Sequence, residues 1–344
     1  MRPLTIQRLF LNCAILAVIL FVVVIVSLKV GAVQVSLWGL GRDLLRVMYG
    51  GQIKSDYGLI VMDIRLPRIL LGIFVGAALS VAGTGFQALL RNPLADPYVL
   101  GVSSGAALGA IMALIVSPHL SLSPALADLL TPLGAFLGAA ATIAAVYFLG
   151  RRNGQIDSTT LLLGGIITAS FISAVIMFLM TSLTGSNLRG MAFWLMGNLS
   201  TSLQRSVYWV LGIGFVVGAG AIYTTASDLN LLLSGEKEAM HLGVDVPRVR
   251  LVVYIAASVL TGFAVSMSGA IGYVGLLVPH VMRQIFGSDH RMLLPTAALG
   301  GAIAVVIADT VARTVVSPAE LPVGAMTALV GAPLFIYMLR RKMA

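Results

Sequence analysis

An all-α, polytopic membrane fold of about ten transmembrane helices is predicted by three observations. Charged residues make up only 10% of the 344-residue chain and hydrophobic residues 58%, against about 25% charged in an ordinary soluble domain. Mean hydropathy is +1.00. Apolar runs recur along the whole chain, most near the roughly 20 residues that cross a bilayer's hydrocarbon. So few charges cannot cover a water-facing surface, which excludes a large soluble α domain.

The first run, Leu9–Val30, exceeds the apolar core of a secretory signal and lacks a convincing cleavage site, so it reads as a retained first helix. Further runs are predicted at Leu66–Leu90, Tyr98–Val116, Leu133–Leu149, Thr160–Leu183, Val207–Ala226, Val249–Ser268, Tyr273–Phe286, Leu293–Val316 and Pro322–Leu339. The eighth is short, which predicts a tilted, broken or partly re-entrant crossing. The second to fifth runs and the seventh to tenth start on opposite sides, a weak signature of an inverted repeat. The whole chain, 1–344, reads as a single transmembrane domain.

Two stretches are not spans. Gly31–Asp63 carries Trp38, Leu40, Leu44, Leu45 and Val47 among Arg42, Asp43 and Arg46, a pattern suited to a helix along the membrane surface. In Ala226–Arg250, Asp228 suits the start of one short helix. Ser234 and Gly235 suit the start of a second with Glu236 in its first turn, and Gly243 suits its stop. Two readings stand for this segment, a docking knob and an ordinary surface loop.

An even count of spans puts both termini on one side. The Lys and Arg bias favours a cytoplasmic N- and C-terminus, with Arg8, Arg91, Arg151, Arg152, Arg248 and Arg340 among the inner set. Against that bias, Lys29, Arg42, Arg46, Lys54, Arg65 and Arg68 make a basic outer rim. The net charge of +9 is spread over the ends of apolar runs, without a basic stretch interleaved with aromatics, so nucleic acid is not expected as a partner.

Catalytic chemistry is not expected. The single Cys13 excludes an internal disulfide and reads as a small buried hydrophobe. His119, His241, His280 and His290 fall in separate segments without metal-ligand spacing, so no metal is expected. Gly50–Ser55 lacks the spacing of a phosphate-cradling loop. Within the spans, Asp309 and Arg313 stand four apart on one helical face, as a structural pair or a functional one. Such scarcity of intramembrane carboxylates counts against an ion-coupled secondary transporter, and a lipid-modifying enzyme would need a nucleophile or metal cluster. Gly101, Gly105 and Gly109, with Gly134 and Gly138, predict tight helix packing.

Three long stretches carry a resemblance. The first is Arg65-Leu66-Pro67-Arg68, Gly76-Ala77-Ala78-Leu79, Gln87, Arg91-Asn92-Pro93-Leu94-Ala95-Asp96-Pro97 and Leu100-Gly101-Val102-Ser103-Ser104-Gly105-Ala106. The second is Gly269-Ala270-Ile271-Gly272-Tyr273-Val274-Gly275-Leu276-Leu277-Val278-Pro279-His280, with Arg283 and Asp289-His290-Arg291. The third is Ala308-Asp309, Arg313, Glu320-Leu321-Pro322-Val323-Gly324 and Gly331-Ala332-Pro333-Leu334-Phe335. In this order, and over about the whole chain, they resemble the FecCD family, permeases of type II ABC importers for iron–siderophore complexes, haem and cobalamin.

That resemblance implies ten helices per subunit and a homodimer in the bacterial inner membrane. It also implies two ABC ATPase subunits that use ATP and Mg, and a periplasmic or lipid-anchored binding protein; this chain is expected to bind no cofactor. The cargo it implies is an iron chelate, a ferric siderophore or haem, with vitamin B12 as the alternative. Arg65, Arg68 and Arg313 match positions that meet acidic residues of the binding protein, so charge reversal at Arg68 is expected to uncouple docking without unfolding. The loop at about 228–244, with Ser234, Gly235, Glu236, Ala239, Leu242 and Gly243, matches the ATPase-coupling segment. Asn92, Ser158 and Thr159 match gate residues, with helix capping as the competing reading.

Overall fold

The computed structural model describes residues 5–31, 33, 39, 41, 56–121, 123–152, 155–181, 186–200, 205–317 and 319–343. Eight of its helices are long and apolar enough to cross a membrane, and two shorter apolar ones bring the total to the ten expected. The long set is α1 (Ile6–Lys29), α2 (Leu66–Leu89), α3 (Val102–Val116), α4 (Pro124–Gly150), α5 (Ser158–Thr181), α7 (Arg205–Thr224), α10 (Val246–Ser268) and α12 (His290–Ala312). The shorter two are α11 (Val274–Phe286) and α13 (Val323–Met343). Three helices do not cross: α6 (Ser186–Leu195), α8 (Ala226–Leu232) and α9 (Glu236–His241). A two-residue hairpin, β1 (Arg151–Arg152) with β2 (Gln155–Ile156), joins α4 to α5.

Two starts differ from the sequence reading. The second crossing begins before Leu66, through a helical turn at Asp56–Leu59 and a π-helical turn at Ile60–Arg65. Pro67 has no N–H to close the usual bond four residues back, and its ring crowds that carbonyl, so the preceding turn widens instead of ending. α4 begins at Pro124 rather than Leu133 and carries Pro132 inside it, which a packed membrane helix tolerates. Trp38, Leu40, Arg42, Asp43, Leu44, Leu45, Arg46 and Val47 of the amphipathic stretch lie outside the described residues.

Glycines set how closely the spans approach. A Cβ on Gly76 of α2 would strike the carbonyl of Gly301 in α12, and one on Gly301 would strike that of Gly76. Gly105 and Gly109 of α3 meet Gly138 and Gly134 of α4 in the same way. Lipid offers no hydrophobic drive for helices to associate, so such close contact supplies the dispersion attraction that holds them. α2 is the most enclosed span and α1 the least.

α11 spans about 20 Å at 1.5 Å per residue, short of the roughly 30 Å hydrocarbon. Its Gly275 packs on Gly83 of α2. Just before it, the Tyr98 hydroxyl donates to the Ile271 carbonyl and accepts the Ile271 N–H, both at 3.0 Å. The eighth run is therefore broken: a non-helical stretch at 269–273 leads into a helix about two-thirds of the hydrocarbon's thickness. α1 and α12 run parallel, Asn12 against Met292 and Ser27 against Thr310. Phe335 and Met338 of α13 lie beside Leu94. Both terminal helices thus turn their outer ends to the face that carries α8 and α9.

Candidate functional site

The polar residues singled out by sequence gather at the two ends of the bundle. At one end α1, α2, α12 and the loop before α13 converge on a buried ionic cluster. Arg68 donates from Nε to Asp309 Oδ1 at 2.7 Å and from Nη1 to Glu320 Oε2 at 2.7 Å. Arg313 Nε stands 3.0 Å from Asp309 Oδ2, and its Nη2 reaches Ser27 Oγ at 2.8 Å. Arg65 donates to the carbonyls of Leu28 at 2.6 Å, Lys29 at 3.3 Å and Val33. The Leu28 and Lys29 carbonyls end α1 and have no acceptor role left inside the helix, so Arg65 caps it and ties down the chain that follows at Val33. A side chain on Gly31 would collide with the Arg65 guanidinium.

Burial here is nearly complete: Arg65 is 4% exposed, Arg68 5%, Arg313 6% and Asp309 1%. Glu320 is the outlier, with 48% of its side chain exposed. Its partial burial pushes its carboxyl up, but the hydrogen bond and charge of Arg68, with Ser200 and Arg313, outweigh that and hold it below the usual range. Three guanidinium groups, of Arg65, Arg68 and Arg313, face two carboxylates, of Asp309 and Glu320. Arg68 Nη2 is buried and, among the described residues, has no hydrogen-bond partner. Among the described residues the cluster therefore carries one positive charge in excess, and Arg68 Nη2 faces neither carboxylate.

This geometry revises one expectation. Charge reversal at Arg68 is no clean docking lesion, because a third carboxylate would be buried against Asp309 and Glu320 and unpaired buried charge is destabilising.

At the other end, α8 and α9 form the helix pair expected of 226–250. Asp228 sits in the first turn of α8, with Thr225 rather than Asp228 at the N-cap position. Gly235 opens α9 at φ +139, and a Cβ there would strike the Glu238 carboxylate. Gly243 stops α9 at φ +89, its N–H reaching Met240 O and that of Val244 reaching Ala239 O, each at 3.0 Å. This is a glycine-terminated helix end. Ala239 is fully buried beneath α9, while Ser234, Leu242 and Gly243 are exposed. Glu236 turns inward, bonding Arg250 and lying 3.5 Å from Arg91. The exposed apolar residues Leu233, Met240 and Leu242 make the outer surface.

A polar joint missed by the sequence reading locks this loop to α12. Asn230 donates to Asp289 Oδ1 at 2.8 Å and accepts from the His290 backbone N–H and ring Nδ1, both at 2.8 Å. Asp289 also caps α12, and Arg291 donates to both its oxygens at 3.0 and 2.7 Å. The Arg291 hydrogen bond, aided by Asn230 and opposed by partial burial, pulls the Asp289 carboxyl down to about 2. The available signal was an Asn in a short helix and an Asp-His pair at a helix start, 59 residues apart. A second tie, Arg283 to Gln87 Oε1 at 3.0 Å and Gln87 to Leu276 O at 3.1 Å, fixes α11 to α2.

The expected gate residues share this end without a bond between them among the described residues. Asn92 follows Arg91, whose φ is +49. Its Oδ1 accepts the Leu94 N–H at 2.9 Å, so it shapes a turn. Ser158 and Thr159 open α5, but Asp157 caps it, accepting from Thr160 N at 2.7 Å. Thr159 is exposed.

Among the described residues, ten apolar helices with a buried cationic cluster at one end and a tied helix pair at the other define a multi-pass membrane protein. Residues 19–341 match the FecCD transport family, and the chain belongs to it. It is 42% identical over 319 residues to the cobalamin import permease BtuC of Halobacterium salinarum, covering 92% of this chain and 84% of the other. The haemin transport permease HmuU of Yersinia pestis is 40% identical over 327 residues, covering 95% and 94%. A solved structure described as an inward-facing metal-chelate type ABC transporter superposes with a TM-score of 0.80 at 30% identity, covering 96% and 99%. The chain is the permease subunit of an ABC transporter.

Proposed function

We propose that this chain imports an iron chelate, a ferric siderophore or haem, across the bacterial inner membrane. It works as a homodimer above two ABC ATPases, with both termini cytoplasmic. A binding protein delivers cargo at the Arg68 end, and the ATPases seat on α8 and α9. One observation carries the docking part: the buried cluster holds an excess positive charge and the unpartnered Arg68 Nη2, which an incoming carboxylate would complete. Carboxylate–guanidinium bonds are short and directional. Glu320 is the half-exposed member through which a partner would reach Arg68.

Transmission between the ends follows from the packing. α12 runs about 28 Å from His290 to Asp309 at 1.5 Å per residue, joined to α8 by Asn230 and to α2 by Arg68. Its glycine contact with α2 lets the two helices move as one body. Closure of the ATPases shifts α8 and α9, the paired helices tilt, and Asn92, Ser158 and Thr159 line the inner gate. ATP and Mg act in the partner, and this chain makes no bond.

The test is ATPase activity of the reconstituted permease, ATPases and binding protein with haem, ferric siderophores and cobalamin. Stimulation by haem or a siderophore is expected. Stimulation by cobalamin alone would select the second reading, which the similarity to the Halobacterium salinarum permease favours. No assembly with an ATPase would overturn both.

A further inference from the structure

Away from both ends, α4 and α10 enclose a groove of about 330 Å³. One stripe of each helix lines it, including Ala140, Ile143 and Tyr147 on α4 and Leu251, Ile255 and Val259 on α10. Phe148 and Ile255 at its rim are exposed, so the groove opens to lipid. Its floor is tied shut where the Tyr254 hydroxyl donates to the Ile143 carbonyl at 2.8 Å. Stacked rings of Phe136 and Phe263, 4.7 Å apart, close the far end.

Length and charge say what fills it. From Leu251 to Gly262 the groove runs about 16 Å at 1.5 Å per residue, the depth of one leaflet of a roughly 30 Å hydrocarbon. Its open end lies at the start of α10 and the end of α4, where Arg248 and Arg151 are both exposed. The β1–β2 hairpin that begins with Arg151 packs against α10 there. Two nearby carboxylates are turned to helix starts: Asp157 accepts Thr160 N–H at 2.7 Å and Asp245 accepts Arg248 N–H at 3.2 Å. The mouth therefore sets the Arg151 and Arg248 guanidinium groups above an apolar slot, with Asp157 and Asp245 beside them engaged in helix caps.

We propose that this groove binds one anionic phospholipid, an acyl chain lying between α4 and α10 and the phosphate held by Arg151 and Arg248. Basic pockets between membrane helices take acidic headgroups by this chemistry. The inference is independent of cargo and of the docking reading.

Full-length permease would be purified with equimolar phosphatidylglycerol and phosphatidylcholine, and retained lipids counted by native mass spectrometry. Preferential retention of phosphatidylglycerol is expected. Arg151→Gln and Arg248→Gln, which change only exposed side chains, should each lower it about fivefold, with Lys at both positions preserving it. Ala140→Trp should fill the slot and reduce retention of both lipids. Equal retention of the two lipids by the unaltered chain, or preference untouched by the double Gln variant, would overturn the proposal. So would an Ala140→Trp chain that keeps its lipid but loses self-association, since the groove would then belong to a second copy.

Discussion

The two ends of this permease are built with opposite chemistry. At the Arg68 end Arg68, Arg313 and Asp309 are buried and paired with one another, with Glu320 half-exposed beside them, among α2, α12 and the loop before α13. At the α8–α9 end the surface is exposed and partly apolar, with Leu233, Met240 and Leu242 facing outward, while the ionic ties sit behind it. The buried end has its geometry fixed by its own ion pairs, and the exposed end offers surface backed by a hidden polar joint. Under the proposed function, stability and partner binding are coupled at the first end and separable at the second.

Asp309→Ala tests that contrast most severely. Arg313 would remain buried without its carboxylate and Arg68 with Glu320 alone, at a cost of about 3–5 kcal/mol. Thermal unfolding in detergent should show a large fall in midpoint; an unchanged midpoint would mean the cluster is hydrated rather than structural. Asn230→Ala should cost less, about 1–3 kcal/mol for the polar groups it strands. Its distinguishing effect is on coupling: the ATPase complex should assemble but lose stimulation by loaded binding protein.

The pH dependence of that joint has a defined sign. Asp289 is held at about 2, below its unfolded value near 4. Its contribution is therefore complete above pH 4 and is lost as pH falls through about 2. Thermal midpoints of the parent and Asp289→Asn should differ by a constant amount from pH 5 to 8. A difference that changes within that range would mean the carboxylate is not held as the Arg291 and Asn230 bonds require.

Smaller still on stability is Glu320→Gln, about 1 kcal/mol or less for a half-exposed pair. It removes the internal competitor for Arg68, so binding of an acidic partner should tighten, as read by surface capture of the binding protein. Weaker capture would mean that Glu320 positions Arg68 for its partner instead. Leu242→Asp should leave stability within about 0.5 kcal/mol yet abolish ATPase assembly in a pull-down. Intact assembly would place the ATPase contact elsewhere.

Several features were legible from sequence because each rests on a local rule. Gly235 and Gly243 bound α9 because those positions need positive φ. Gly105, Gly109, Gly134 and Gly138 announced a close helix crossing because their spacing puts them on one face. The Asp309–Arg313 pair was legible from its four-residue spacing, but the burial of Arg65, Arg68 and Arg313 and the long-range partners of Arg65 and Arg68 were not. Asn230 escaped notice because a lone Asn in a short loop helix has no pattern of its own.

By itself the sequence determined the membrane class, the ten apolar segments and the short eighth one. Hydrocarbon thickness fixes how many apolar residues make a crossing, and that can be counted along the chain. Only the tertiary structure decided which charges meet. Arg68 and Asp309 are 241 residues apart, and Arg68 and Glu320 are 252 apart. Their pairing follows from how α2 packs on α12, and α2 packs there because glycine lets two backbones touch.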